Sequence, residues 1–556
     1  MEWDREVDVV VVGSGAAGLT AAVTAAIGGA RVELLEKSEL IGGTTCVSGG
    51  GIWVPGNPHM REMGLADARE DAVSYALEST NGLAPDPALV GLYVDKSVEA
   101  LEFLEERTPI EFFVSEIFSD YYIERHGSRR RGRTLDNRPF PAREELGEWD
   151  ERLRRTPHYP RLTLDEMAMD PARSGGAGAG AFDDALLALD AERAAAGIRT
   201  GGEALAGRLL KGCLDHGVEV RVATPVRRLI LSADHAVVGV VAEEEGKAIS
   251  IRARAGVVLA TGGFEWNPDL VRAFLGVREL RPASQPHNTG DGLVMALEAG
   301  ALPANMTEAW WFPVTSTGTL TYDGHPMNNV STPRAEAGCI TVNRRGRRFT
   351  NEAASYMDIG REFRRYDAVT ADYPNEVAWS IFDSRVRDRI ELADLVPGEP
   401  TPAWVVEAGS IEELAAQIGV PSETLVDEVA RFNRNAAEGH DPDFGRGTLW
   451  FEAFTAGGPR PETALATIEA APFYAVRLYN GVLGTCGGPR ITADGQVLSA
   501  RGGVVSGLYA AGNVSASVFG PGYPGGGATL GPAITFGYQA GRHVAALAVC
   551  APVPVP

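Results

Sequence analysis

Val7-Asp8-Val9-Val10-Val11-Val12-Gly13-Ser14-Gly15-Ala16-Ala17-Gly18 decides how the rest of the chain is read. Val7 to Val12 is short, β-branched and almost continuously apolar, the pattern of a strand buried on both faces of a parallel sheet. Leu19 to Ile27 is Ala-rich and reads as a helix, and Arg31 to Glu36 reads as a second strand. Together they predict one βαβ unit. Gly13, Gly15 and Gly18 fit GxGxxG: the first makes the tight turn, the second lets backbone approach phosphate, and the third lets helix pack on strand. Ser14 and Ala17 fall in the same turn. The helix N-terminus then presents N–H groups and a positive dipole end to a pyrophosphate. Glu36 closes the second strand where an acidic residue reaches a ribose hydroxyl, with Lys37 beside it.

The chain has 556 residues, a length compatible with several domain-sized units. Its net charge is −23, which argues against a nucleic-acid partner, since phosphate-binding surfaces need positive patches. The five cysteines are scattered, with no CxxC or Cys/His ligand spacing, so neither a metal site nor a disulfide framework is expected and a reducing, cytoplasmic setting fits. The N-terminus lacks the basic and apolar regions of a secretory signal. No run of about twenty apolar residues predicts a transmembrane segment, which leaves transient surface contact with a membrane open.

Further strands are expected at Val218 to Ala223, at Val237 to Ala242 with Ser250 to Arg254 as a hairpin, and at Gly256 to Ala260, which runs into Thr261 and Gly262. Near the other end, Gly507 to Gly512 and Asn513 repeat this strand-into-glycine form. The fold class is therefore α/β, a Rossmann-like nucleotide domain assembled from both chain ends around an inserted α+β cap domain. The expected division is 1–275, 276–470 and 471–556. In the insertion, Ile411 to Ile418 and Ser422 to Asn435 read as amphipathic helices, and one residue of Trp310-Trp311-Phe312 as a pocket wall. Ser174 to Ala181 reads as a flexible loop, Arg125 to Arg133 with its five arginines as a solvated surface loop, and Ala551 to Pro556 as an irregular tail.

A second glycine segment, Gly42-Gly43-Thr44-Thr45 and Ser48-Gly49-Gly50-Gly51, follows the βαβ unit directly. Its amides and hydroxyls suit a long cofactor. With Glu36-Lys37-Ser38 ahead and Trp53 and Pro55 behind, it resembles the FAD enzymes of the fumarate reductase and 3-ketosteroid dehydrogenase superfamily, which implies FAD. The segment holds no histidine, so the FAD is expected to be non-covalent.

Three more segments resemble the 3-ketosteroid Δ1-dehydrogenases. Asn351-Glu352-Ala353-Ala354-Ser355-Tyr356 has tyrosine where soluble fumarate reductases have their proton-donating arginine, although Met357 interrupts the pattern before Asp358. Tyr523-Pro524-Gly525-Gly526-Gly527 leads through Ala528 and Leu530 into a helix at the flavin's pyrimidine end. Asp120-Tyr121 resembles the family's Asp-Tyr pair, and Leu483 to Gly488 replaces the histidine-containing stretch with which fumarate reductases hold a carboxylate. The resemblance covers nearly the whole chain except about 131–206, which matches poorly.

What it implies is removal of hydrogen from C1 and C2 of a 3-ketosteroid. The Tyr523 hydroxyl and the Gly527 N–H would hold the C3 carbonyl, donors typically worth roughly 3 kcal/mol each. Tyr356 would take the C2 proton. An unperturbed tyrosine, with a pKa of about 10, needs help in this, and a hydrogen bond from Tyr121 would give it. Flavin would accept the C1 hydride and pass the electrons to an external acceptor such as a quinone. The alternatives are a Δ4-(5α)-dehydrogenase of the same lineage, a reductase of an unsaturated acid using Arg361 or Arg490, and a flavin protein without catalysis.

Overall fold

The computed structural model describes residues 2–168, 182–456 and 460–550, so the loop expected at Ser174 to Ala181 and the tail Ala551 to Pro556 lie outside the described residues. An eight-stranded sheet organises the nucleotide end. Its main path runs Gln496–Leu498, Val504–Ala510, Lys247–Leu259, Arg5–Val12, Val32–Leu35, Glu219–Arg221. Arg5–Val12 sits in the interior, parallel to Val32–Leu35 on one side and to Lys247–Leu259 on the other. Its Val9, Val10 and Val11 are fully buried, as a strand covered on both faces requires. Val504–Ala510 adds in parallel to Lys247–Leu259. Strands from both chain ends therefore share one sheet.

Two glycine-assisted contacts fix the helix layer. Ala16–Ile27 packs against Leu530–Cys550. A Cβ on Gly537 would stand 2.6 Å from the carbonyl oxygen of Ala17, and one on Gly541 2.5 Å from that of Ala21. The last helix of the chain thus lies directly on the first.

One expectation is corrected. Ser250 to Arg254 and Gly256 to Ala260 were expected as separate strands and instead form one, Lys247–Leu259. Its first half pairs antiparallel with Val237–Glu244 and its second half runs parallel between Arg5–Val12 and Val504–Ala510. Burial alternates through Arg252 and Arg254 and then becomes continuous, so a change of neighbours looked like a break in the strand.

The middle of the chain forms a four-stranded antiparallel sheet in the order Cys339–Asn343, Ala378–Asp383, Phe473–Leu478, Val406–Ala408. The helices Ile411–Ile418 and Ser422–Ala437 bury Leu414, Leu425 and Phe432 in the same apolar cluster as Ile340, Ile381 and Ala475 of this sheet. Phe473–Leu478, just past residue 470, completes the sheet. A separate three-stranded sheet has the order Arg281–Pro282, Gly481–Thr485, Ala309–Trp311. A third small sheet, Ile52–Trp53, Thr134–Asn137, Phe112–Val114, carries the loop that leads to Tyr121. Among the described residues no helix is long and apolar enough to cross a membrane.

Candidate active site

One continuous cavity of about 600 Å³ runs from the first βα turn to the three tyrosines. At the nucleotide end its wall is formed by residues 12–17, 35–37, 43–45, 47–51, 260–262 and 511–513. Gly13 has φ +102°, and a Cβ there would lie 2.4 Å from the carbonyl oxygen of Ala260. Gly18 does not face the cavity. It packs under the turn, where a Cβ would lie 2.0 Å from the carbonyl oxygen of Gly13. The N-cap residue Gly15 brings no side chain to the start of the helix Ala16–Ile27, and its own N–H has no acceptor within the described protein. Unfilled donors at a helix start, walled by glycine, are what a pyrophosphate needs. The residues therefore fit a dinucleotide.

Glu36 binds protein before it binds anything else. Its carboxylate accepts from the Ser14 N–H at 3.0 Å, the Ser14 hydroxyl at 2.6 Å and the Ser38 N–H at 2.9 Å. The expected ribose contact would have to be added to these. Lys37 Nζ is tied to Asp291 and Thr289. Thr45 Oγ1 accepts from the Ala16 N–H at 2.9 Å, and Thr44 Oγ1 from Asn288 Nδ2 at 2.8 Å. The glycine segment is not wholly loop: Gly43–Val47 is a short helix. Ala528 lies behind the cavity wall, while Thr529 and Leu530 face it.

At the other end Tyr121, Tyr356 and Tyr523 come together. The Tyr121 and Tyr356 hydroxyls share a hydrogen bond of 2.8 Å. Ring centroids are 5.4 Å apart for Tyr121 and Tyr523 and 5.6 Å for Tyr356 and Tyr523. Phe312 lies 4.4 Å from the Tyr356 ring. Burial pushes all three phenols above the usual tyrosine range, Tyr121 and Tyr356 well above it, and their mutual repulsion as phenolates adds to this for Tyr121 and Tyr356. Since one hydroxyl bonds the other, proton loss belongs to the group and not to a single ring. Gly527, at φ +91°, faces the same space, and its N–H has no protein acceptor among the described residues. A Cβ there would lie 2.5 Å from the Ile52 backbone, so only glycine fits.

Rigid supports hold each ring. The Tyr121 N–H donates to the Pro524 carbonyl at 3.0 Å, and so does the Tyr75 hydroxyl at 2.5 Å, which locks the Tyr121 and Tyr523 loops together. Asp120 accepts from Trp53 Nε1 at 2.8 Å and from Arg133 Nη1 at 2.7 Å. This corrects the expectation of a solvated loop at Arg125 to Arg133: Arg133 is only 1% exposed and pairs with Asp67 as well as Asp120. Counting arginines could not separate the one that turns inward. Under the Tyr356 turn, Arg348 Nη2 meets Glu352 at 2.7 Å and Asp441 at 2.9 Å, with Arg446 Nη1 3.1 Å from Glu352.

The space beside the tyrosines is largely apolar, bounded by Phe118, Phe312, Val330, Leu392, Phe451 and Phe454. Of the aromatic trio only Phe312 faces it, while Trp310 and Trp311 belong to the core. Phe451 and Phe454 carried no signal that set them apart from other core aromatics. The segment Pro157 to Pro160, in the poorly matching stretch, also lines the cavity; burial lowers the pKa of His158, whose Nε2 lies 2.9 Å from the Ala283 carbonyl. Arg361 and Arg490, considered for a carboxylate clamp, do not line the cavity, and Arg361 is tied to Asp358 and to the Pro521 carbonyl.

Residues 8–530 match the FAD binding domain family. The chain belongs to that family. FAD is its cofactor, and the fold is the mixed helix and strand fold of these oxidoreductases. The chain is 38% identical, over 97% of its length and 92% of the relative's, to 4-oxocyclohexanecarboxylate 2-dehydrogenase of Sinomonas cyclohexanicum. It is 36% identical, over 97% and 98%, to 3-oxosteroid 1-dehydrogenase of Mycobacterium tuberculosis (strain ATCC 25618 / H37Rv). Its structure aligns with the 3-ketosteroid delta1-dehydrogenase of Sterolibacterium denitrificans, crystallised with 1,4-androstadiene-3,17-dione, at TM-score 0.87 and 31% identity, covering 98% of this chain and 100% of the other.

Proposed function

We propose that this protein is an FAD-dependent 3-ketosteroid dehydrogenase that introduces the C1–C2 double bond into ring A. The observation that carries this reading is the meeting of Tyr121, Tyr356, Tyr523 and the unpartnered Gly527 N–H on one wall of a cavity that continues to the glycine turn. The Tyr523 hydroxyl and the Gly527 N–H hold the C3 carbonyl oxygen and acidify C2. Tyr356 acts as its phenolate, held by a hydrogen bond from the Tyr121 hydroxyl, and becomes the neutral phenol as it takes the C2 proton. Bound FAD supplies the acceptor for the hydride that leaves C1. The phenylalanine walls exclude water and match a rigid apolar ring system.

FAD binds without a covalent bond, a reading supported by the absence of histidine from residues 42–51. Residues 1–275 and 471–556 carry the cofactor, and 276–470 with the strand Phe473–Leu478 forms the cap. An external acceptor such as a quinone reoxidises the flavin. The compartment is the cytoplasm, in keeping with the buried free thiols of Cys46, Cys213, Cys339 and Cys486.

A second reading, dehydrogenation of a monocyclic oxo acid, is favoured by the 38% identical relative. Against it, no arginine among the described residues lines the cavity, Lys37 is paired with Asp291, and Glu391 adds an acidic wall residue. Anaerobic mixing with 4-androstene-3,17-dione and, separately, with 4-oxocyclohexanecarboxylate tests the two readings. Bleaching of the flavin by the steroid, with a 1,4-diene product, supports the first. Bleaching by the oxo acid alone would replace it.

A further inference from the structure

Arg334 lies in the short turn Pro333–Ala335 and is 3% exposed. Its Nη1 donates to the carbonyl of Glu352 and, at 3.4 Å, to that of Ala354. These residues stand four and two positions before Tyr356, so the guanidinium lies beneath the turn that presents the phenol. The neighbouring buried arginines differ from it: Arg348 and Arg446 both pair with Glu352. Among the described residues no carboxylate comes within the 4 Å of an ion pair with Arg334. A buried cation without an anion is costly, and a structure tolerates one where something else supplies negative charge.

We propose that the Arg334 guanidinium is the fixed positive charge that stabilises Tyr356 as a phenolate, so that it acts on the reaction through Tyr356 as a positioning residue. Burial and repulsion from Arg446 lower the Arg334 pKa to about 10, while negative charge on Tyr356 and Glu352 opposes that shift. The coupling is mutual: whatever phenolate does for the arginine's proton, the arginine does for the phenolate. The other groups around Tyr356 cannot take this part. Tyr121 and Tyr523 are neutral phenols, Phe312 is apolar, and Asp358 is held by Tyr122 and Arg361. Around Arg334, Glu352 is engaged by Arg348 and Arg446, and Glu452 is bound by Asn351 and the Gly447 and Thr448 N–H groups.

The inference rests on Tyr356 being the base. The test is the pH dependence of flavin reduction by 4-androstene-3,17-dione in Arg334→Gln and Arg334→Lys, each checked first for flavin content and visible spectrum. Losing the cation raises the affinity of the base for its proton. In Arg334→Gln the acid limb of kcat/KM should therefore move up by about one pH unit or more, with about tenfold or greater loss at neutral pH that alkaline pH repairs. Arg334→Lys, which keeps the charge but not the fork, should hold its limb within about half a unit of the natural enzyme, a difference too small for loss of a neighbouring charge. A Gln variant with reduced turnover and an unmoved limb would reduce Arg334 to packing and overturn the proposal. Should the Gln variant not accumulate with flavin, a Lys limb displaced as far as that expected for Gln would overturn it too. Tyr356→Phe separates the two claims: unimpaired turnover there removes the base itself, whereas lost turnover with an unmoved Arg334→Gln limb removes only the arginine's part.

Discussion

The two ends of the cavity are built from different materials. The nucleotide end is mostly backbone: Gly13, Gly15 and Gly18 stand within six residues, and the free Gly15 N–H is presented by a turn that any chain with those glycines can make. The tyrosine end is side chain, drawn from loops around residues 121, 356 and 523, with each ring held by groups from elsewhere. Tyr121 depends on Trp53, Asp120 and Arg133, and Tyr356 rides on the Arg348, Glu352 and Asp441 network. A backbone site is specified locally and a side-chain site globally, so the two should fail in different ways.

The largest effect is expected at the backbone end. Gly18→Val would force a branched side chain into the 2.0 Å gap above the Gly13 carbonyl, and purified protein should carry essentially no flavin. Absorbance in the visible band measures this directly. Near-normal flavin content with lost turnover would erase the division between the ends. Next comes Tyr523→Phe, which removes one of the two carbonyl donors and leaves the cofactor site alone. Flavin reduction should slow by about 10²- to 10³-fold with the visible spectrum unchanged. Loss of flavin in this variant would mean that the tyrosine loop also builds the cofactor site.

Smaller effects sharpen the comparison. The base must be deprotonated to act, and burial holds the Tyr356 phenol well above the ordinary range. For the natural enzyme kcat/KM should therefore climb with pH into the alkaline range, with activity lost as pH falls and the phenol group keeps its proton. Tyr121→Phe removes the 2.8 Å hydrogen bond to Tyr356. It should lower turnover at neutral pH by about tenfold and move the same limb upward, which a pH series of stopped-flow reductions would resolve. An unmoved limb would make Tyr121 a wall residue only.

What could be read from the sequence follows the same division. The glycine spacing, the strand before it and Glu36 sufficed for the nucleotide turn, because local backbone geometry dictates those residue types. They did not reveal that Glu36 is already occupied by Ser14 and Ser38, since hydrogen bonds across a turn leave no spacing signal. Tyr121, Tyr356, Tyr523 and Gly527 came from resemblance, because nothing in composition or periodicity links loops so far apart. Phe451, Phe454 and His158 were missed for the same reason. A cluster of arginines predicts a surface loop, whereas the inward turn of Arg133 depends on Asp67 and Asp120, which lie elsewhere in the chain. The long strand Lys247–Leu259 changes neighbours midway, so its burial pattern changes there and the sequence reads as two strands.

The role of Tyr356 in removing the C2 proton is tested most directly by single-turnover flavin reduction with 4-androstene-3,17-dione, compared between the natural enzyme and Tyr356→Phe without oxygen. The variant should keep its FAD and visible spectrum while its reduction rate falls by about 10²- to 10⁴-fold; a rate within a few-fold of the natural enzyme would contradict the assignment.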